Sequence, residues 1–280
     1  MKTLLTALAM AAALTIPACA DDEIAFATPS DPVAGHAETT YADLIKQVIP
    51  DFTLNADHDW TGTLPDGVRH IEGPGSVGET PDPVKISYVD VRELDAEGRK
   101  TMWVMADLGD GGNLGTYTLL MLFDDSTMPK LLDAAEVDTD GLTGFIDVPV
   151  RISPHDEAIM VDSEHSNSSQ TYQALTLLFA HGGKLTKIDG FFAFGTRSCT
   201  YHQYEQVDVT AKPSGKGFWP IRAVNTRRVG KYAETACPDE DGKLKAKTFS
   251  AVYTWNARTG RYETMSKELT RLAKADGALF

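Results

Sequence analysis

Two polar stretches hold the side chains best suited to chemistry. The first, Asp107-Leu108-Gly109-Asp110-Gly111-Gly112-Asn113, places three oxygen donors in a glycine-rich run, a setting that suits a hard cation such as calcium, although the spacing departs from an EF-hand loop. The second runs from Asp162 through Ser163, Glu164 and His165 to Gln170 and gathers carboxylates, an imidazole and hydroxyls. Asp and Asn also make Asx-turns, and Gly and Ser allow tight reversal, so both stretches equally describe hairpin turns. The reading that uses them functionally takes Asp107, Asp110, Asp162, Glu164 and His165 as a charged rim. Its partner would be an envelope protein or a cationic ligand.

An enzyme would have to be assembled from the same groups. A hydrolase using His165 with Asp162 or Glu164 as acid and base is the alternative. Asp57-His58-Asp59 and His155-Asp156-Glu157 are further acid-imidazole clusters in turn-like text, and Asp138-Thr139-Asp140-Gly141 lacks an oxygen ligand at Leu142. No HExxH, GxSxG or Cys-His zinc spacing occurs, and Gly73-Pro74-Gly75-Ser76-Val77-Gly78 lacks the lysine of a phosphate-binding loop. The reading therefore leans away from catalysis and names no cofactor and no metal. Trp60, Trp103, Trp219 and Trp255, with Tyr201 and Tyr204, suit a ligand groove, but in a β-rich chain they more often fill the core.

The elements that must position these groups are strands. From Val84 onward, short runs rich in β-branched and aromatic residues are separated by Gly, Asp, Asn and Ser clusters. The runs are 84–91, 101–107, 116–123, 130–137, 158–162, 171–179, 185–194, 203–211, 217–229, 247–255 and 261–265. Such spacing predicts an all-β fold, mainly an antiparallel meander, with propeller-like or sandwich packing. Two short helices flank it. Thr40 and Asp43 form a capping box ahead of Tyr41, Leu44, Ile45, Val48 and Ile49, which Pro50 ends. Near the C-terminus, 266–275 reads as a helix with Leu269 and Leu272 inward.

An internal repeat runs through the strands. Val104-Met105-Ala106-Asp107 and Ile159-Met160-Val161-Asp162 are each followed by Thr-Tyr, at Thr116-Tyr117 and Thr171-Tyr172, and then by an apolar strand. A looser third copy places Asp239 before Thr248-Phe249. The organisation expected is a leader over 21–40 and a single β-rich domain over 41–280, with repeated units near 84–140, 147–195 and 203–265.

Composition sets the address. Lys2, an apolar run from Leu4 to Ile16, and Ala18-Cys19-Ala20 before Asp21-Asp22-Glu23 describe a signal peptide over 1–20 and hence a periplasmic or secreted protein. Alternatively Ile16-Pro17-Ala18-Cys19 is a lipobox and the protein is an assembly factor anchored through Cys19, the only route by which a membrane partner enters. Residues 21–164 carry 30 acids and 8 bases, whereas 165–280 carry 10 acids and 17 bases. This asymmetry disfavours nucleic acid, since the acidic half repels phosphate and the basic residues form no dense run. In an oxidising compartment the remaining cysteines, Cys199 and Cys237, are expected to pair. Cys199 with His202 as a thiol and its base is disfavoured, because such sequence neighbours on a strand are poorly placed for it.

Overall fold

The structure, a computed structural model, describes residues 26–73, 81–110, 116–137, 142–146, 148–231 and 244–278. The expected signal peptide, the lipobox, Cys237 and Asp239 lie outside the described residues.

Among the described residues the first elements are a hairpin of β1 (Pro32–Val33) and β2 (His36–Thr40), followed by helix α1 (Tyr41–Ile45). Thr40 caps the helix as expected: its hydroxyl accepts from Asp43 N, and Asp43 in turn accepts from Thr40 N. The helix is shorter than its apolar spacing implies. Gln47 and Val48 bond three residues back, to Leu44 and Ile45, so the ladder tightens and unwinds ahead of Pro50. Val48 and Ile49 are buried all the same.

A three-stranded sheet follows, ordered β3 (Thr53–Leu54), β4 (Trp60–Gly62), β6 (Val84–Lys85), with β5 (Arg69–His70) set apart. The run expected over 84–91 is thus two strands in different sheets, β6 and β7 (Val89–Ala96). Gly62 is required here by contact. A Cβ at this position would stand 2.5 Å from Ile49 Cγ2 and 3.1 Å from Phe52 Cα, closer than carbon atoms approach.

The next sheet has five strands in the order β5, β10 (Leu131–Glu136), β9 (Thr116–Asp124), β8 (Arg99–Asp110), β7. All neighbours are antiparallel except β5 and β10. Its two central strands are buried on both faces, which is why they read as unbroken apolar runs. Met102, Val104, Ala106 and Leu108 join Leu119, Met121 and Phe123 under α1. Trp103, Met105, Leu120 and Leu122 face the opposite way and pack on Phe145, Ile159, Val161 and Leu178 of the next sheet.

That sheet follows the order β11 (Leu142–Phe145), β13 (Glu157–Ser166), β14 (Gln170–His181), β15 (Lys184–Arg197), β16 (Tyr201–Ala211), β17 (Ile221–Lys231), β18 (Lys245–Asn256), β19 (Arg261–Glu263), with β12 (Val150–Arg151) also on β13. It is the expected antiparallel meander. A β-bulge at Ile188 lets Leu177 pair with Asp189 and Leu178 with Lys187. Leu185 therefore points into the core shared with the five-stranded sheet, while Phe191 points the other way.

Between β15 and β16 the ladder joins Thr196 to Gln203 and Arg197 to His202, both beside the turn. Beyond that the strands part. Leu175, Leu177, Phe179 and Phe191 on one side meet Ile221, Ala223, Ala251 and Tyr253 on the other in a common core. Helix α2 (Glu268–Asp276) packs against β15 and β18 with Leu272 buried, matching the expected C-terminal helix. Polar ties fasten the two large sheets at their edges: Asp95 N donates to Glu157 Oε2 at 2.9 Å, Glu97 N to Asp156 Oδ1 at 2.8 Å, and Arg69 to Leu185 O at 2.8 Å.

Two expectations are refined by this order. The architecture is a stack of sheets joined by a long meander, without the finer propeller-like or sandwich arrangement being assigned. The tryptophans serve mainly as packing: Trp103 is fully buried, Trp60 stacks on Phe52, and Trp255 lies against Phe218 and Tyr262.

Candidate functional site

The stretch read as a loop from Asp162 to Gln170 is mostly strand. β13 continues to Ser166 and β14 starts at Gln170, so the turn is Asn167-Ser168-Ser169 alone. Asn167 Oδ1 accepts from Ser169 N at 3.2 Å and Gln170 N at 3.0 Å, an Asx-turn that closes the hairpin. Asp162, Glu164 and His165 are therefore strand positions, a correction to their reading as loop residues. Asp107 and Asp110 likewise end β8, across a ladder irregularity from Thr118 and Thr116. Asp107 Oδ1 accepts from Gly109 N at 2.8 Å, and Gly109 sits at φ +104°, open to glycine at little cost.

Strand alternation then separates the candidates. β13 pairs with β14 without interruption from Ala158 to Ser166, so Asp162 and Glu164 share one face and His165 lies on the other. Asp162 accepts from Gln173 Nε2 at 3.0 Å, and Glu164, opposite Gln173, accepts from Ser166 Oγ at 3.2 Å. His165 stacks on Tyr172 with centroids 5.5 Å apart, and Tyr172 stacks on Phe192 at 5.1 Å, forming a row of rings on the reverse face. The acid-base pairing of His165 with Asp162 or Glu164 is not assembled, and the hydrolase reading loses its geometry.

On the Glu164 face, a groove of about 350 Å³ opens at the β15–β16 turn. Glu164 and Gln173 form one wall, Arg197 and His202 line it beyond, and Gln203 and Glu205 form its inner part. Behind the groove lies a buried ionic cluster. Arg227 donates through Nε to Glu205 and through its terminal nitrogen to Asp276, while Asn225 Nδ2 donates to Glu205 Oε2 at 2.8 Å and to Phe192 O at 3.1 Å. Two carboxylates share one guanidinium, and Asp276 Oδ2 is buried without a hydrogen-bond partner. Burial, followed by the charge of Glu205, pushes the Asp276 carboxyl up to about 6.

Sequence reasoning missed Arg197, Gln203, Glu205, Asn225, Arg227 and Asp276. A signal was present: Ile221, Ala223, Asn225 and Arg227 alternate along β17, and Asn and Arg continue the inward-facing register. Polar residues at inward strand positions call for partners, because burying them unpaired is costly.

The two acidic hairpins point to the same end of the molecule. Asp95, late in β7, bonds Glu157, early in β13. Asp90, early in β7, takes the backbone N–H of Phe145, which pairs with Val161, midway along β13. Asp107, two places beyond the Asp90 partner Met105, thus lies toward the same rim as Asp162 and Glu164. There it interacts with Tyr88, whose hydroxyl is pushed up by burial and by the Asp107 charge. Among the described residues no group of three or more metal-ligating side chains is gathered. The chain matches no family model, no curated protein and no solved structure in the comparisons made.

Proposed function

We propose that the protein is an exported binding module of the cell envelope whose acidic rim takes a cationic group, a basic side chain of an envelope protein in the first place. The observation that carries this reading is the placement of Glu164 at the wall of a groove whose other side is lined by Arg197 and His202; Asp162 stands on the same strand face two residues before it, outside the lining. An ammonium or guanidinium group would sit against Glu164. Asp107 would extend the negative field along the rim and act by attraction over distance.

The address rests on residues 1–20 as a signal peptide, with a lipoprotein anchored through Cys19 as the variant form. Cys199 lies in the turn between β15 and β16 and is not a free group; its pairing with Cys237 belongs to the same proposal. Mass measurement of the mature protein distinguishes cleavage before Asp21 from lipidation at Cys19.

The binding reading is tested by titrating a fluorescent lysine-rich peptide into the mature protein and following anisotropy. Asp162→Asn and Glu164→Gln should each weaken binding several-fold, up to about fivefold for a partly exposed charge pair, with the melting temperature unchanged. Equal affinity in wild type and the double variant would end this reading.

A further inference from the structure

At the far side of the five-stranded sheet, α1 and the small sheets leave one corner of its outer face uncovered. The cleft there has a volume of about 1170 Å³. Its floor is apolar: Val91 of β7, Met102 of β8 and Tyr41 at the start of α1. Its walls are the β1–β2 hairpin and the turn from Asp125 to Met128. These walls are braced against each other. His36 Nε2 lies 3.0 Å from Asp125 Oδ1, and Gln47 clamps the end of the same turn by donating to Pro129 O and accepting from Leu131 N, both at 2.9 Å. The cleft is thus held open by tertiary contacts, and Met128 stands 74% exposed at its lip.

The charges around it are unevenly disposed. Arg92 lines the cleft, but its guanidinium is turned to Asp90 and lies over the Phe145 ring on the opposite face of the sheet. His36 is committed to Asp125. Glu38 and Glu93 are exposed at the rim, neither with a hydrogen bond or ion pair among the described residues, and Glu93 is felt by Lys100 only as a nearby charge. An apolar floor with uncompensated carboxylates at the mouth complements a molecule with an apolar body and a cationic head. Methionines in floor and lip adapt to such a body without demanding one shape. Peptide addition to the β7 edge is the weaker fit. Ala27 already bonds Val89 there, and the Arg92 side chain occupies Val91 O.

We infer that this cleft is a second binding site, separate from the groove at the rim, for a small amphipathic cation such as an alkyl or aryl amine. The inference does not depend on the peptide reading of the rim. Isothermal titration of the mature protein with octylammonium, octanoate and octanol below their aggregation limits tests it. Octylammonium should bind at one site, at least about fivefold tighter than octanol, with octanoate weaker than either. Glu38→Gln with Glu93→Gln should bring octylammonium down to the level of octanol, and Met102→Glu should abolish binding of octanol, each with an unchanged near-ultraviolet circular dichroism spectrum. If Met102→Glu unfolds the protein, Met128→Gln at the exposed lip serves in its place and should weaken both probes. Octanoate binding as well as octylammonium, full octylammonium affinity in the double glutamine variant, or a dimer that persists at saturating octylammonium would each overturn the inference. The last result would assign the cleft to a second copy of the chain.

Discussion

Asp276 is the side chain whose protonation the fold most clearly controls. It is the last residue of α2, fully buried, and shares Arg227 with Glu205. A helix C-terminus is also the wrong end for a carboxylate. Its carboxyl, raised to about 6 from an ordinary 3.8, holds a proton in the folded state that the unfolded chain has released. Between about pH 4 and pH 6 the folded state therefore binds more protons, and this contribution to stability falls as pH rises through that window. Asp276→Asn, which imitates the protonated form, should flatten the dependence. Denaturant unfolding at pH 5 and pH 7.5 should show the wild type losing on the order of 1–3 kcal/mol relative to the variant on going to the higher pH. A difference that stays constant with pH would contradict the protonation of buried Asp276. At the rim, His165→Ala should leave peptide affinity unchanged, since its ring lies on the opposite face from Glu164; a loss comparable to that of Glu164→Gln would mean the two act together. Asx-turn chemistry at Asp107 and Asn167 was legible in the residue types. The parity that divides Glu164 from His165 was hidden, because it depends on β13 continuing through a segment with loop composition.

Elements were more legible than sites. The capping box at Thr40 and Asp43 reads directly from sequence because its partners are three residues apart. Thr40→Ala removes the hydroxyl that accepts from Asp43 N and donates to the Asp43 carboxylate, while the bond from the residue 40 backbone N–H stays; it should cost about 1 kcal/mol in denaturant unfolding. Gly62 was silent in the sequence, since its need comes from Ile49 and Phe52 in another segment. Gly62→Ala should destabilise by about 1–3 kcal/mol through the forced displacement of Ile49. An unchanged transition midpoint would show that the α1 segment yields freely. The β8–β9 and β13–β14 hairpins correspond to the repeat in sequence, yet they stand in different sheets with different registers. Asp107 pairs with Thr118, whereas Asp162 pairs with Leu175, two places beyond the matching residue. Repeated text specified a local hairpin. Placement in a sheet was set by which faces found apolar partners, a long-range matter that spacing does not encode.

On the scale of the whole molecule, the charge asymmetry acquires a direction. Asp107, Asp162 and Glu164 come from the acidic part of the chain and lie toward one rim, where Arg197 of the basic part lines the same groove as Glu164. Attraction at the rim should be screened by salt, so lysine-peptide affinity should fall steadily as ionic strength rises through the range where the Debye length drops from about 30 Å to about 8 Å. An affinity indifferent to salt would place the recognition in apolar contacts instead. The proposed pairing of Cys199 with Cys237 would close a loop of nearly forty residues and should contribute roughly 3–4 kcal/mol on the chain-entropy model. The central claim concerns where a cation lands, and amide chemical-shift mapping of the labelled mature protein with a lysine-rich peptide reads that directly. Perturbations concentrated on Asp162, Glu164, Gln173, Arg197 and Gln203 are the expected result. Perturbations confined to other surfaces, with these amides unmoved at saturation, would contradict it.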